Sequence, residues 1–236
     1  MVQIGNFFFK TRNFLFPVFY VLLFLPFPRI TQDYILIFCI GLGITFIGQL
    51  IRMLTIGMVY IIRGGKNRRI YAEGLVTEGL FSHSRNPMYV GNVSMIIGMS
   101  ILSNSVFAIP VMIPLFIFIY QAIIRAEENF LRDKFGTAFD EYCTAVNRWF
   151  PKLKGIVDTF KKNDFDTKKV FFKEYNTTFI WMLGATLLFA YNKYFYSFNT
   201  LTFSDSIPFI IVIATLTILY FTIRYFKKRK NNIKKK

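Results

Sequence analysis

Long apolar stretches without a single charged residue recur along the chain: 13–28, 34–51, 87–124, 175–192 and 206–223. A spanning helix needs about 20 mostly apolar residues, so each stretch approaches or exceeds the length that crosses a bilayer. The 38 residues of 87–124 would rise about 57 Å as one helix, against a hydrocarbon core of about 30 Å. They therefore predict two helices folded back at Ser103-Asn104-Ser105, which makes about six spans. The first stretch is short and carries Pro17, Pro26 and Pro28. It has no small-residue cleavage site ahead of a polar chain and reads as a retained first helix.

Composition supports the pattern and charge orients it. The 236 residues are 54% hydrophobic and 18% charged, with 30 Phe and 13 Tyr, which excludes an ordinary soluble domain and argues against disorder. The balance of 29 Lys+Arg against 13 Asp+Glu, net +16, raises a nucleic-acid partner until the charges are located. Lys10 and Arg12 precede the first span; Arg29 alone follows it. Arg63, Lys66, Arg68, Arg69 and Arg85 lie between the second and third, none lies in the 103–105 turn, and 125–173 is rich in base. Lys193 alone lies between the fifth and sixth spans, and Arg224, Lys227, Lys228, Arg229, Lys230, Lys234, Lys235 and Lys236 end the chain. The positive-inside rule then puts both ends and the two long loops in the cytoplasm, N-in/C-in. The base surplus becomes a rim beside an anionic leaflet, with the tail as a membrane-surface anchor and no nucleic-acid partner. The expectation is an all-α, multi-pass integral membrane protein. Its parts are N-terminal helices at 1–47, a core at 48–155, a linker with two further helices at 156–226 and a basic tail at 227–236. A bacterial inner membrane and an endoplasmic reticulum would leave the same pattern.

Chemistry should sit where polar residues break this pattern. One place is the loop 74–89, which leads into the third span; the other is Arg125-Ala126-Glu127-Glu128, where the fourth leaves the membrane. Because the third and fourth spans form a tight hairpin, these two motifs should meet in space. Asn86-Pro87 reads either as an N-cap with Pro at the first helical position or as a helix mouth that suits an anionic ligand group. Tyr89 can offer a hydroxyl or a ring face. Glu127 and Glu128 are either solvated residues or carboxylates placed at the bilayer surface for a cofactor. Arg52 either snorkels where the second span ends or faces inward to hold an anion. His83 is the sole histidine, which excludes an imidazole-built metal site; as a lone loop residue it reads as solvated. Cys39 and Cys143 have no disulfide or metal framework around them. Gly74 and Gly79 read as loop hinges, since no Lys-Ser/Thr follows to make a P-loop.

From Gly48 to Pro151 the chain resembles the integral-membrane methyltransferases, which include isoprenylcysteine carboxyl methyltransferase and the phospholipid (phosphatidylethanolamine) N-methyltransferases. The residues that carry the likeness are Gly48-x3-Arg52-x4-Gly57, Leu75-Val76-Thr77-x-Gly79-x-Phe81-x3-Arg85-Asn86-Pro87-Met88-Tyr89-x-Gly91, Glu127-Glu128-x2-Leu131, Phe135-Gly136-x2-Phe139-x2-Tyr142 and Arg148-x2-Pro151. The resemblance implies S-adenosylmethionine in a cytoplasm-facing pocket and a lateral opening to the bilayer for a lipid or lipidated substrate. It implies cofactor contacts at Glu73, Gly74, Leu75, Val76, Phe81, Asn86, Pro87, Met88, Tyr89 and Glu127. Arg125 would hold an anionic substrate group, with Arg52 as the alternative, and Glu128 would be the base for an amine acceptor. No metal enters this scheme.

Three departures stand out. Asn86 replaces the His usual in the carboxyl methyltransferases, Phe81 replaces Tyr, and the Arg that handles a substrate carboxylate would fall at Ile123. In-line methyl transfer asks for alignment and desolvation more than acid–base groups, so the lack of a triad is no objection. The competing readings are a sterol-reductase-like NADPH enzyme, which shares a similar hairpin, and a non-enzymatic membrane scaffold.

Overall fold

The computed structural model describes residues 1–59, 63–66, 69–195 and 202–233. Its elements in order are α1 (Val2–Leu22), α2 (Tyr34–Met58), β1 (Arg63–Lys66), β2 (Arg69–Ala72), α3 (Pro87–Leu102), α4 (Ile113–Phe135), α5 (Thr137–Ala145), α6 (Ile156–Lys162), α7 (Thr167–Ala190) and α8 (Phe203–Ile233). The protein is all-α as its apolar periodicity predicts, with one small antiparallel hairpin, Arg63 opposite Ala72, that the apolar pattern does not announce. Among the described residues, three helical segments are long and apolar enough to cross a membrane: Tyr34–Met58, Ala108–Phe135 and Phe203–Lys230. Arg68, Lys234, Lys235 and Lys236 lie outside the described residues.

The fold-back occurs where the length argument puts it. α3 ends at Leu102, and Asn104 takes a left-handed conformation (φ 53°) that Asn tolerates better than most residues. The Asn104 amide donates to the Thr31 carbonyl at 2.8 Å, and its side-chain oxygen accepts from the Thr31 N–H at 3.2 Å. A single π-turn over Ala108–Met112 then leads into α4.

The most extensive contact is between α2 and α3, which run antiparallel with glycine facing glycine. A Cβ at Gly48 would lie 2.6 Å from the Gly91 carbonyl oxygen, and one at Gly41 would lie 2.7 Å from that of Gly98. The glycines are seven residues apart on each helix, two turns, so both pairs fall on one face. With no side chain between them, the backbones touch, as in small-residue interfaces of membrane helices. On the far side α1 packs antiparallel on α4: Gly5 lies against the Ala122 carbonyl, and the Phe19 and Phe116 rings meet edge to face at 4.7 Å. α7 docks on α2 and α3. α8 lies along α7 and leaves Ile210, Ile211, Ile218, Leu219 and Phe221 exposed.

A larger residue in the glycine seam should separate α2 from α3. Overpacking costs about 1–3 kcal/mol per site, so Gly48→Leu and Gly91→Leu should lower the apparent melting temperature of the detergent-solubilised protein by several degrees or prevent its isolation. Gly43, whose Cβ would meet nothing within 4 Å, serves as the control. A Gly48→Leu protein as stable as Gly43→Leu would refute the packing assigned to this seam.

Candidate active site

The seam sets the depth of α3, and the hairpin returns α4 beside it, so the start of α3 and the end of α4 share one end of the bundle. Between them lies a cavity of about 790 Å³, within the range of about 300–1,000 Å³ typical of small-molecule and cofactor sites. Phe81, Asn86, Met88, Tyr89 and Glu127 line it, so five of the ten expected cofactor contacts share one wall system. The Tyr89 hydroxyl donates to Glu127 Oε1 at 2.6 Å, and Glu127 is 4% exposed. Charge-assisted bonds of this length are strong, and the pair fixes both side chains.

The other five lie elsewhere. Glu73 and Gly74 are exposed, and the Tyr71 hydroxyl donates to Glu73 at 3.2 Å. Leu75 packs with Ala72, Leu131, Phe139 and Tyr142, while Val76 packs with Met58, Val59 and Leu80. Pro87 is buried at the first position of α3 outside the cavity lining. Asn86 occupies the N-cap position without a side-chain cap bond; its amide donates to the Arg148 carbonyl at 3.3 Å.

The two residues expected to act on substrate also stand apart from the cavity. Arg125 is on the exposed face of α4. Glu128 is 5% exposed and gripped by two guanidiniums. Arg148 donates to it through Nε at 3.0 Å and Nη2 at 2.6 Å, and Arg85 Nη2 lies 3.3 Å away. Guanidinium donors engage both of its carboxylate oxygens. Its work is to latch the segment after α5 onto α4. Arg85 adds a bond to the Cys143 carbonyl at 3.0 Å, and the Tyr142 hydroxyl donates to the Phe81 carbonyl at 2.7 Å.

His83, expected to be solvated, is 4% exposed. Its Nδ1 donates to the Lys152 carbonyl and its Nε2 meets the Thr159 hydroxyl at 2.8 Å, so it staples the loop to the segment before α7. Gly79 does act as a loop hinge: its φ is +58°, and a Cβ there would lie 2.4 Å from Val59. Burial pushes the Cys143 thiol up, away from the thiolate a nucleophile needs.

Arg52 faces inward and lines the cavity, which resolves the choice left open by its position. The anion it holds belongs to the same chain: Arg52 Nε and Nη2 donate to Glu174 at 2.8 and 2.7 Å, and Nη1 donates to Asn92. Gln49 also donates to Glu174 at 3.1 Å and accepts from Trp181 at 3.1 Å. The spacing of the chain offered no sign of this network, because Glu174 lies 122 residues from Arg52. Tyr20, Asn92 and Tyr120 are further lining residues that the motifs did not indicate.

This geometry belongs to a span with known relatives. Residues 34–138 match the phospholipid methyltransferase family. The likeness read from the residue pattern is borne out over that span, which holds every cavity residue from α2 to α4. The chain is also 28% identical over 153 residues to the nickel-cobalt-cadmium resistance protein NccN of Alcaligenes xylosoxydans xylosoxydans, covering 58% of this chain and 66% of that protein. The cobalt-zinc-cadmium resistance protein CzcN of Cupriavidus metallidurans is 28% identical over 153 residues, covering 58% and 65%. The chain thus spans just under two thirds of the length of these relatives. No solved structure matches it. Among the described residues, no group of three or more His, Cys, Asp and Glu is placed to hold a metal ion.

Glu128 and Arg125 should separate by thermal stability. Removing one partner of a buried ion pair costs about 3–5 kcal/mol, so Glu128→Gln should lower the apparent melting temperature sharply. Arg125→Ala should stay within about 0.5 kcal/mol of the parent, as exposed substitutions do. Equal melting temperatures for Glu128→Gln and Arg125→Ala would overturn the latch.

Proposed function

We propose that the protein is an S-adenosylmethionine-dependent methyltransferase that acts on a lipid or lipidated acceptor held in the membrane, with its cavity toward the cytoplasm. The observation that carries this reading is the half-buried Tyr89 hydroxyl bonded to the buried Glu127 inside a cofactor-sized cavity, within the span that matches the phospholipid methyltransferases. The residues present fit the cofactor: a buried carboxylate suits its amino group or ribose hydroxyls, and the Phe81 and Tyr89 rings suit an adenine or a cationic centre. When bound, S-adenosylmethionine would supply a methyl group on a positively charged sulfur.

The chain's own contribution is placement. Tyr89 holds Glu127 in one orientation, and Glu127 brings negative charge to a cavity otherwise lined by Arg12, Arg52, amides and apolar side chains. Met95, Ile96, Met99 and Ile123 close the inner end and exclude water, which strengthens each charge interaction made there. Arg52 is neutralised by Glu174 and so does not compete with Glu127 for the site. The run Asn86-Pro87-Met88-Tyr89 supports the phospholipid N-methyltransferase branch over the carboxyl methyltransferases. The relatives' names bring a physiological setting into the proposal, methylation during exposure to nickel, cobalt, zinc or cadmium.

Detergent-solubilised protein should bind S-adenosylmethionine or its demethylated product saturably in calorimetry. Hydrogen bonds to a charged group contribute about 1.5–3 kcal/mol, so Glu127→Ala should weaken binding by about tenfold to a hundredfold. Folded wild type that fails to bind, or prefers NADPH, would sink the reading. Labelled methyl donor incubated with total lipid extract would identify the acceptor.

A further inference from the structure

The cavity wall is not uniformly enclosed. The lining residues from α2, the loop 81–86, α3 and α4 are all buried or half-buried. Among the described residues, the exposed ones, Asn13, Pro17, Asn176 and Ile180, come from α1 and α7. The opening therefore lies between α1 and α7, two helices outside the matched span of 34–138. Deeper in the bundle these helices close on each other. A Cβ at Gly184 would lie 3.0 Å from the Tyr20 ring, and the Phe24 and Tyr191 rings sit 5.7 Å apart. The two contacts follow the same order along both helices, so α1 and α7 run parallel and the gap is a slot with a closed inner end.

The slot is graded. With Tyr20 set against Gly184, the parallel register brings Arg12 and Asn13 of α1 near the level of Asn176 and Thr177 of α7, and Pro17, one turn deeper, near that of Ile180. Four residues of helix are about 6 Å, the scale on which a lipid passes from headgroup to acyl chain. Pro17 also lacks the N–H that would bond to the Asn13 carbonyl, which adds an acceptor to the polar level.

Charge completes the match. Three charged residues line the cavity: Arg12, Arg52 and Glu127. Arg52 is committed to Glu174 and Asn92, and Glu127 to Tyr89. Arg12 stacks over the Phe9 ring at 4.2 Å and has no carboxylate ion-pair partner among the described residues. A guanidinium is a planar donor that suits the paired oxygens of a phosphate.

We propose that the slot between α1 and α7 is the acceptor entrance, and that Arg12 binds the phosphate of a phospholipid acceptor whose chains leave past Pro17 and Ile180 into the bilayer. The proposal assigns the entrance and the headgroup contact, and rests on the methyltransferase reading for the reaction, though not for the binding. Arginine at this depth also orients a helix in a membrane, and a role limited to orientation would leave headgroup preference unchanged.

The test uses detergent-solubilised full chain and two single-chain lipids of equal length, lysophosphatidylethanolamine and a monoacylglycerol, which lacks phosphate. Wild type should bind the phospholipid at least tenfold more tightly. Arg12→Gln should abolish that preference, Arg12→Lys should keep part of it, and Lys10→Gln, at an exposed position, should keep all of it. Ile180→Trp should weaken binding of both lipids while S-adenosylhomocysteine binding stays intact, which also reports folding if Arg12→Gln is unstable. Equal affinity of wild type for the two lipids, an unchanged preference in folded Arg12→Gln, or full competition by inorganic phosphate at the lipid's concentration would each overturn the proposal. Phosphate preference without any S-adenosylhomocysteine binding would instead overturn the methyltransferase reading and leave the lipid site standing.

Discussion

The rest of the structure depends on the contact of bare backbone between α2 and α3. Glycine at 41 and 48 meets glycine at 98 and 91, which fixes the antiparallel register of the two helices and lets no side chain act as a spacer. The consequence appears one turn beyond Gly48. The stem of Arg52 fills the space that a side chain on Gly91 would occupy, a Cβ there falling 2.7 Å from the Arg52 Cγ. The guanidinium is thus carried past α3 to Asn92 and into the bundle. A charge buried there without a counterion would cost several kcal/mol, and Glu174 is that counterion. Gln49 and Trp181 bond on the same side and complete the attachment of α7. The position of a helix far along the chain therefore follows from four glycines within its first hundred residues.

The opposite wall shows how one helix sorts neighbouring residues into different work. Successive residues of a helix point about 100° apart, so Glu127 and Glu128 cannot face the same way. Glu127 points at Tyr89 and the cavity, whereas Glu128 points at Arg85 and Arg148. Arg125 is rotated about 200° from Glu127 and faces outward. The two acids are chemically identical, and their partners decide that one can meet a ligand while the other holds the loop that roofs it. Arg148 and Arg85 earn their places in the motif through this latch, because the Asn86 turn would have no fixed partner without the segment they hold.

The sequence made legible whatever bilayer thickness or helix length constrains. The break at 103–105, the hairpin and the meeting of the Asn86 turn with Glu127 all follow from the length of 87–124 and the placement of its polar flanks. Rotational phase about a helix was not legible, because it depends on which neighbours pack against it; hence Arg125 and Glu128 lie off the cavity while Glu127 lines it. Glu73–Val76 stand near the motif in sequence, but Leu75 and Val76 anchor separate small apolar clusters that carry them off the cavity. His83 reads as a loop residue until Lys152 and Thr159 close over it. The Arg63–Ala72 hairpin has four-residue strands with Gly64 and Gly65 inside, too short and too glycine-rich to show alternation. Glu174 reads as the polar edge of an apolar stretch, since nothing local ties it to Arg52.

The cavity has two halves with different physical demands. Methyl transfer requires reacting groups held in one geometry, and Tyr89, Glu127, Asn86 and Phe81 are held by the glycine seam and the ion-pair latch. An acceptor that stays in the membrane must instead enter and leave, so its side of the cavity has to be open. That side is built by α1 and α7, which frame a gap bordered by exposed residues. The span matched to the phospholipid methyltransferases covers the fixed half and stops short of both helices. Under the proposed entrance, selection of the acceptor falls to Arg12, Asn13, Asn176 and Ile180, which lie outside the matched span.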